Sequence, residues 1–112
     1  MPGEMKFLDI PDGLPLPLDW LMNTNDEAFS ELVLEIAKTG PAIAAINGLD
    51  CKPISSRMWR LRHLIGFGKA HYLIFIAVRD GNHLALHGFT DRASSIDPEA
   101  MAIAEQRLQD LL

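Results

Sequence analysis

The sequence predicts a small α+β fold, in which N-terminal helices pack on an antiparallel sheet that a C-terminal helix closes. Three observations carry this expectation. Phe29, Leu32, Val33, Ile36 and Ala37 recur at the spacing of one helical face. Tyr72 to Val78 is apolar at every position, as a strand buried on both faces must be. Asp97-Pro98 supplies a helix N-cap and first helical residue, after which Met101, Ala104, Leu108 and Leu111 share one face. With 112 residues, 48% of them hydrophobic, the chain has enough apolar surface for one core, so residues 1–112 read as one domain.

Along the chain, Lys6 to Ile10 reads as a first strand ended by the turn residues Pro11, Asp12 and Gly13. Leu14 to Leu18, with Pro15 and Pro17, reads as extended or looped. Thr24 or Asn25 is placed to cap the amphipathic helix, and Gly40 to end it. Pro41 restarts the chain, and Ala42 to Ile46 suits a second, shorter helix. From Met58 to Ile65 the residues alternate, with Trp59, Leu61, His63 and Ile65 as the inward set and Met58, Arg60, Arg62 and Leu64 opposite. On that phase Trp59 is a core residue and Arg62 partly exposed. Gly66-Phe67-Gly68 connects this strand to the apolar one, being too short and lacking the following helix that a phosphate-cradling loop needs. Asp80-Gly81 marks a hairpin, with His83 to Phe89 as the return strand. No internal repeat, linker or low-complexity segment interrupts the chain.

Composition limits the function classes. Asp9, Asp12, Asp19 and several prolines cut the apolar stretches short of the ~18 residues a membrane helix needs, and no basic-then-apolar leader is visible. One cysteine, Cys51, can form neither an internal disulfide nor a thiol metal clip, which fits the cytoplasm. A Cys-His nucleophile could arise only through the fold; a packed or idle thiol fits as well. Net charge is −5, which opposes nucleic-acid binding, yet the charge is unevenly spread. Arg57 to Arg92 carries +4 and all four histidines, the remainder −9. Both a basic working face and a pair of acidic surface helices fit that asymmetry.

Two histidines on one strand, His83 and His87, would point the same way but about 13 Å apart, too far to share a metal ion. A richer set lies on adjoining strands: Arg60 and Arg62, then His71 and Tyr72, then His83 and His87, with Arg92 just beyond. Cleaving RNA through its own 2′-hydroxyl needs a base for that proton, a cation against the phosphate and an acid for the departing oxygen. These residue types supply all three without metal. A solvated arginine face with histidines at polar edges is the plainer account of the same residues.

Met58-Trp59-Arg60-Leu61-Arg62, then the apolar strand, then Leu86-His87-Gly88-Phe89, resembles the phage-derived HigB-like branch of the RelE toxin superfamily. Phe29 to Gly40 is similar to the helix before that family's glycine-proline region, and Asp97-Pro98-Glu99 with Ala104, Arg107 and Asp110 to its closing helix. Arg60 stands where the family has an acid, His71-Tyr72 where it has tyrosine-arginine, and Thr90-Asp91-Arg92 where it is lysine-rich. The resemblance implies a ribosome-dependent, metal-independent mRNA endoribonuclease that needs no cofactor, with a helix-turn-helix antitoxin encoded by an adjacent gene as partner. On that basis Arg62 stabilises the scissile phosphate, His87 or His71 transfers protons, and Tyr72 stacks on a base or acts as acid. Arg60, Lys69 and Arg92 then hold the RNA backbone. A non-catalytic relative that keeps the fold to bind a protein, or to dimerise, is the alternative.

Overall fold

A computed structural model describes residues 3–39 and 50–112. Along it run β1 (Met5–Phe7), α1 (Pro17–Met22), α2 (Glu27–Thr39), β2 (Asp50–Pro53), β3 (Met58–Gly66), β4 (Lys69–Ala77), β5 (His83–Arg92) and α3 (Pro98–Leu111). The Gly40 cap, the Pro41 restart and the helix expected over Ala42–Ile46 lie outside the described residues.

Local chemistry explains the helix ends. Asp26, rather than Thr24 or Asn25, caps α2: its carboxylate accepts from the Phe29 amide at 3.1 Å, while the Thr24 hydroxyl is taken by the Leu21 carbonyl at 2.8 Å. The Asp97 carboxylate accepts from the Glu99 amide, and Pro98 opens α3. The Leu14–Leu18 stretch is looped only as far as Leu16. Pro17 begins α1, because its fixed φ suits a first helical residue and it has no amide proton to leave unbonded.

The sheet runs β1-β5-β4-β3-β2 and is mixed rather than antiparallel. The expected three-stranded unit β3-β4-β5 is antiparallel throughout, but β1 lies parallel to β5. Parallel neighbours need a long crossover, and here α1, α2 and the rest of the sheet intervene between them. The first strand is also shorter than Lys6–Ile10, although the Leu8 amide still bonds to the Ala85 carbonyl at 2.9 Å.

Helices cover both faces of this sheet. On one face Leu21, Phe29, Val33 and Ile36 of α1 and α2 pack on Leu61, Leu73, Phe75 and Ala85. On the other, Ala104, Met101 and Leu108 of α3 pack on Met58, Ile74, Ile76 and Leu86. This explains why β4, the middle strand, is buried from Ala70 to Ile76. It also changes what alternation means in β3. The phase is as expected, but it selects a helix layer rather than inside against outside, so Met58 is buried. Trp59 is 41% exposed, which overturns its expected core position. It lies opposite Pro53 of the edge strand and lines an open groove with Val78, Leu108 and Leu111.

One irregularity redirects the chemistry. Ile74 pairs with His87 and Phe75 with Ala85, leaving Leu86 as an extra residue in β5. His83 keeps the α1–α2 face, edge-on to Phe75, whereas Leu86 and His87 both turn to α3. The two histidines therefore lie on opposite faces, not the same one. The following residue, Gly88, is pressed against the Trp20 ring: a Cβ there would come within 2.1 Å of Trp20 Cε3. Gly88→Ala should destabilise the protein by about 1–3 kcal/mol through this overpacking, and most of that loss should return when Trp20 is also shortened to Leu. Thermal melting of the single and double variants checks this; an unchanged melting temperature in Gly88→Ala would contradict the packing.

Candidate functional site

The chemistry-bearing residues fall into two sets, one on each face. On the α3 face the organising group is Arg107, only 3% exposed. Its Nε and Nη2 donate to the two Asp12 carboxylate oxygens at 2.7 and 3.0 Å, Nη2 also to the Pro15 carbonyl at 3.0 Å. Nη1 donates to the Leu86 carbonyl at 2.8 Å and lies 3.4 Å from His87 Nδ1. The Arg107 hydrogen bond holds Asp12 near a pKa of about 2. Burial, and then the neighbouring guanidinium, lower His87 to about 4, so its ring is neutral at physiological pH and accepts from Arg107. His87 also stacks on Phe89, and Phe89 on Tyr72, with centroids 5.3 and 5.0 Å apart.

Arg60 and Arg62 share this face, as alternation requires, and both are engaged. Asp50 of β2 takes Arg60 at 3.2 Å and Arg62 at 2.7 Å. Burial works against the Asp50 charge, but Arg60's hydrogen bond and charge, with Arg62 and Lys52 beyond, hold its carboxyl below the usual range. Arg62 Nη1 donates to the Ala93 carbonyl at 2.6 Å, and its Nε is buried without a partner among the described residues. The Tyr72 hydroxyl donates to the Arg92 carbonyl at 2.6 Å. Arg62 and Tyr72 thus clamp the end of β5. Tyr72 is 1% exposed, which removes its ring from stacking on a base.

His71 lies on the opposite face from Arg62, Tyr72 and His87. Its Nδ1 is 2.8 Å from the Thr90 hydroxyl and its Nε2 3.3 Å from Asp26 Oδ2, between Trp20 and Phe29. Burial lowers its pKa against the opposing pull of Asp26, leaving a neutral imidazole whose Nδ1 can take a proton from Thr90. Thr90 itself is exposed. Lys69 and Arg92 pair across β4 and β5 in the row next to Ala70–Asp91, and strand alternation puts both with His71 and Thr90. They are exposed and make no ion pair among the described residues.

The predicted set is therefore divided. Arg60, Arg62, Tyr72 and His87 share the α3 face, engaged with Asp50, Ala93, Arg92 and Arg107; Lys69, His71 and Arg92 form an open group with Thr90 on the other. The two remaining basic residues of the +4 segment do not complete one face either, since Arg57 and Arg79 flank the Trp59 groove at the far end of β3 and β4. Sequence reasoning missed Arg107, Asp12, Asp50, Asp26 and Thr90 as members. Only Arg107 left a signal: a charge within the Ala100–Ala104–Leu108 stripe, where solvated helices keep apolar residues. No known family model matches the chain, and no curated protein matches it significantly.

The buried His87 makes stability depend on pH with a definite sign. Its folded pKa of about 4 lies below the ordinary 6.5, so on acidification the unfolded chain takes up a proton that the folded one refuses. Stability should be full above about 6.5 and fall by roughly 3 kcal/mol as pH approaches about 4. His71 and His83 act in the same direction. Asp12 adds a separate loss as pH falls from 3.8 towards about 2. Urea denaturation across this range should show the slope, reduced in His87→Gln; equal slopes in the two proteins would contradict the assignment.

Proposed function

We propose that this chain is a RelE/HigB-like toxin of the phage-related kind: a cytoplasmic, metal-independent endoribonuclease that cuts mRNA on the ribosome, held in check by a helix-turn-helix antitoxin from an adjacent gene. The observation that carries this reading is the exposed pair Lys69 and Arg92, beside a relay that runs from the Thr90 hydroxyl through His71 to Asp26. Unpaired cations bind phosphate, and a neutral imidazole aligned by a carboxylate accepts protons. A central apolar strand and a proline-opened closing helix are the features of the fold that support this reading.

In this mechanism the scissile phosphate sits between Lys69 and Arg92. The ribose 2′-hydroxyl gives its proton to Thr90 Oγ1 as the Thr90 proton passes to His71 Nδ1, and Asp26 steadies the imidazolium that results. The 2′-oxygen then bonds to phosphorus, the bond to the 5′-oxygen breaks, and that oxygen takes a proton from the Lys69 ammonium. The products are a 2′,3′-cyclic phosphate and a free 5′-hydroxyl. Arg62 and Tyr72 act from the other face as positioning residues, through their hold on the Arg92 and Ala93 carbonyls.

A second reading has its own support. The burial of His87 and the capture of Arg60 and Arg62 by Asp50 suit a non-catalytic relative that keeps the fold to bind a protein partner or a second copy of itself.

Expression without a partner should slow growth and reduce translation, and Thr90→Val should lower mRNA cleavage by about 100-fold, the lower bound for losing a proton-transfer group, with little change in melting temperature. Unchanged growth and intact mRNA at high expression of the parent protein would favour the binding module. Cleavage should also survive EDTA when ribosomes are kept intact by other means, because side chains fill every role; strict dependence on added zinc or manganese would overturn the mechanism.

A further inference from the structure

The turn joining β3 to β4 carries a residue that the fold does not use. Phe67 is 103% exposed, so among the described residues its ring has no packing that would repay its contact with water. Its backbone is equally costly, because φ is 54°, in the left-handed region that bulky side chains avoid. Gly66 and Gly68 on either side take φ values of 96° and 71°, where glycine has no such penalty, and no atom lies within 4 Å of a Cβ built at either. A glycine or asparagine at position 67 would serve the turn better. A fold-neutral choice would not place phenylalanine there.

What surrounds the ring indicates what it meets. Lys69 follows two residues later, Arg92 lies opposite Lys69, and the Ala93 amide donates to the Gly68 carbonyl at 2.7 Å, tying the end of β5 to the turn. The same Ala93 is held from the other side by Arg62. An exposed aromatic beside two exposed cations, on a turn tied to the end of β5, is the combination by which proteins hold single-stranded nucleic acid: the ring stacks on a base while the cations take the neighbouring phosphates.

We infer that the Gly66–Gly68 turn is a base-stacking finger for single-stranded RNA, in which Phe67 stacks on an unpaired base next to the phosphate held by Lys69 and Arg92. The inference rests on the RNA reading above and adds to it a subsite, the base beside the scissile phosphate. Stacking is indifferent to base identity, so the finger contributes affinity and register rather than a strict sequence preference. Its charge partners make binding fall with salt.

The test uses the full chain and a fluorescently labelled single-stranded RNA oligonucleotide, with binding measured by anisotropy at two salt concentrations. Phe67→Ala and Phe67→Leu should each weaken binding by about tenfold or more, while Phe67→Trp should keep or improve it, since only the aromatic variant retains a stacking face. Phe67→Gly should bind as weakly as Phe67→Ala and melt at the same temperature or higher, because it relieves the backbone penalty; this separates lost stacking from lost folding. Lys69→Glu with Arg92→Glu should remove most of the salt-sensitive binding. If the parent protein binds the RNA and Phe67→Ala binds it equally well, the finger is overturned while the RNA reading stands. If the parent binds no RNA, both fall. Binding to phosphatidylserine vesicles that Phe67→Ala and Phe67→Leu treat differently, Leu retaining it, together with RNA affinity indifferent to Phe67, would overturn the finger in favour of membrane insertion.

Discussion

The Arg107 guanidinium is the interaction on which the rest of the structure depends. A buried arginine is stable only if its charge is matched and its donors are filled, and here the five N–H groups find Asp12, Pro15, Leu86 and His87. These partners come from the loop before α1 and from β5, while Arg107 itself belongs to α3. One side chain therefore fixes the N-terminal loop, the far strand and the closing helix relative to one another. Asp12 itself stands exposed at the rim, so the loss falls on Arg107: without that carboxylate the buried guanidinium is left uncompensated, at a cost of about 1.5–3 kcal/mol.

The bulge at Leu86 and the Arg107 cluster explain each other. An extra residue turns both Leu86 and His87 to α3, and this delivers a carbonyl and an imidazole nitrogen to the guanidinium. Without the bulge, His87 would face Trp20 and Gly88 would not. The consequence for function is a division of labour between the faces. The α3 face spends its polar groups internally, in Arg107–Asp12 and in Arg60 and Arg62 with Asp50. The opposite face keeps its open groups at one end, where Thr90, Lys69 and Arg92 meet the β3–β4 turn. Arg62 and Tyr72 connect the two by holding the backbone of Arg92 and Ala93.

Much of this was legible from local pattern. The apolar run of β4 announced a middle strand, Asp80-Gly81 its hairpin, the spacing from Phe29 to Ala37 the α2 face, and Asp97-Pro98 the start of α3. The shared face of Arg60 and Arg62 followed from alternation. What was not legible depends on contacts far apart in sequence. The parallel pairing of β1 with β5 joins residues such as Met5 and His83, and neither strand's pattern names its partner. The bulge has no residue signature in Ala85-Leu86-His87. Trp59 follows the inward phase, yet it stands exposed opposite Pro53 of the edge strand, a pairing its own pattern does not name. The Asp26–His71 and Asp12–Arg107 pairs are 45 and 95 residues apart, so their chemistry exists only once the fold has formed.

The central claim is that the chemistry open to a nucleic acid lies at one end of the sheet, beside the β3–β4 turn, and not on the α3 face. Amide chemical-shift mapping of the isotopically labelled protein during titration with a single-stranded RNA oligonucleotide tests it directly. The account predicts that saturable shifts concentrate at Gly66, Phe67, Gly68, Lys69, Thr90 and Arg92, with His87, Arg60 and Arg107 unmoved. Shifts centred on His87 and Arg60, or no saturable shift anywhere, would contradict it.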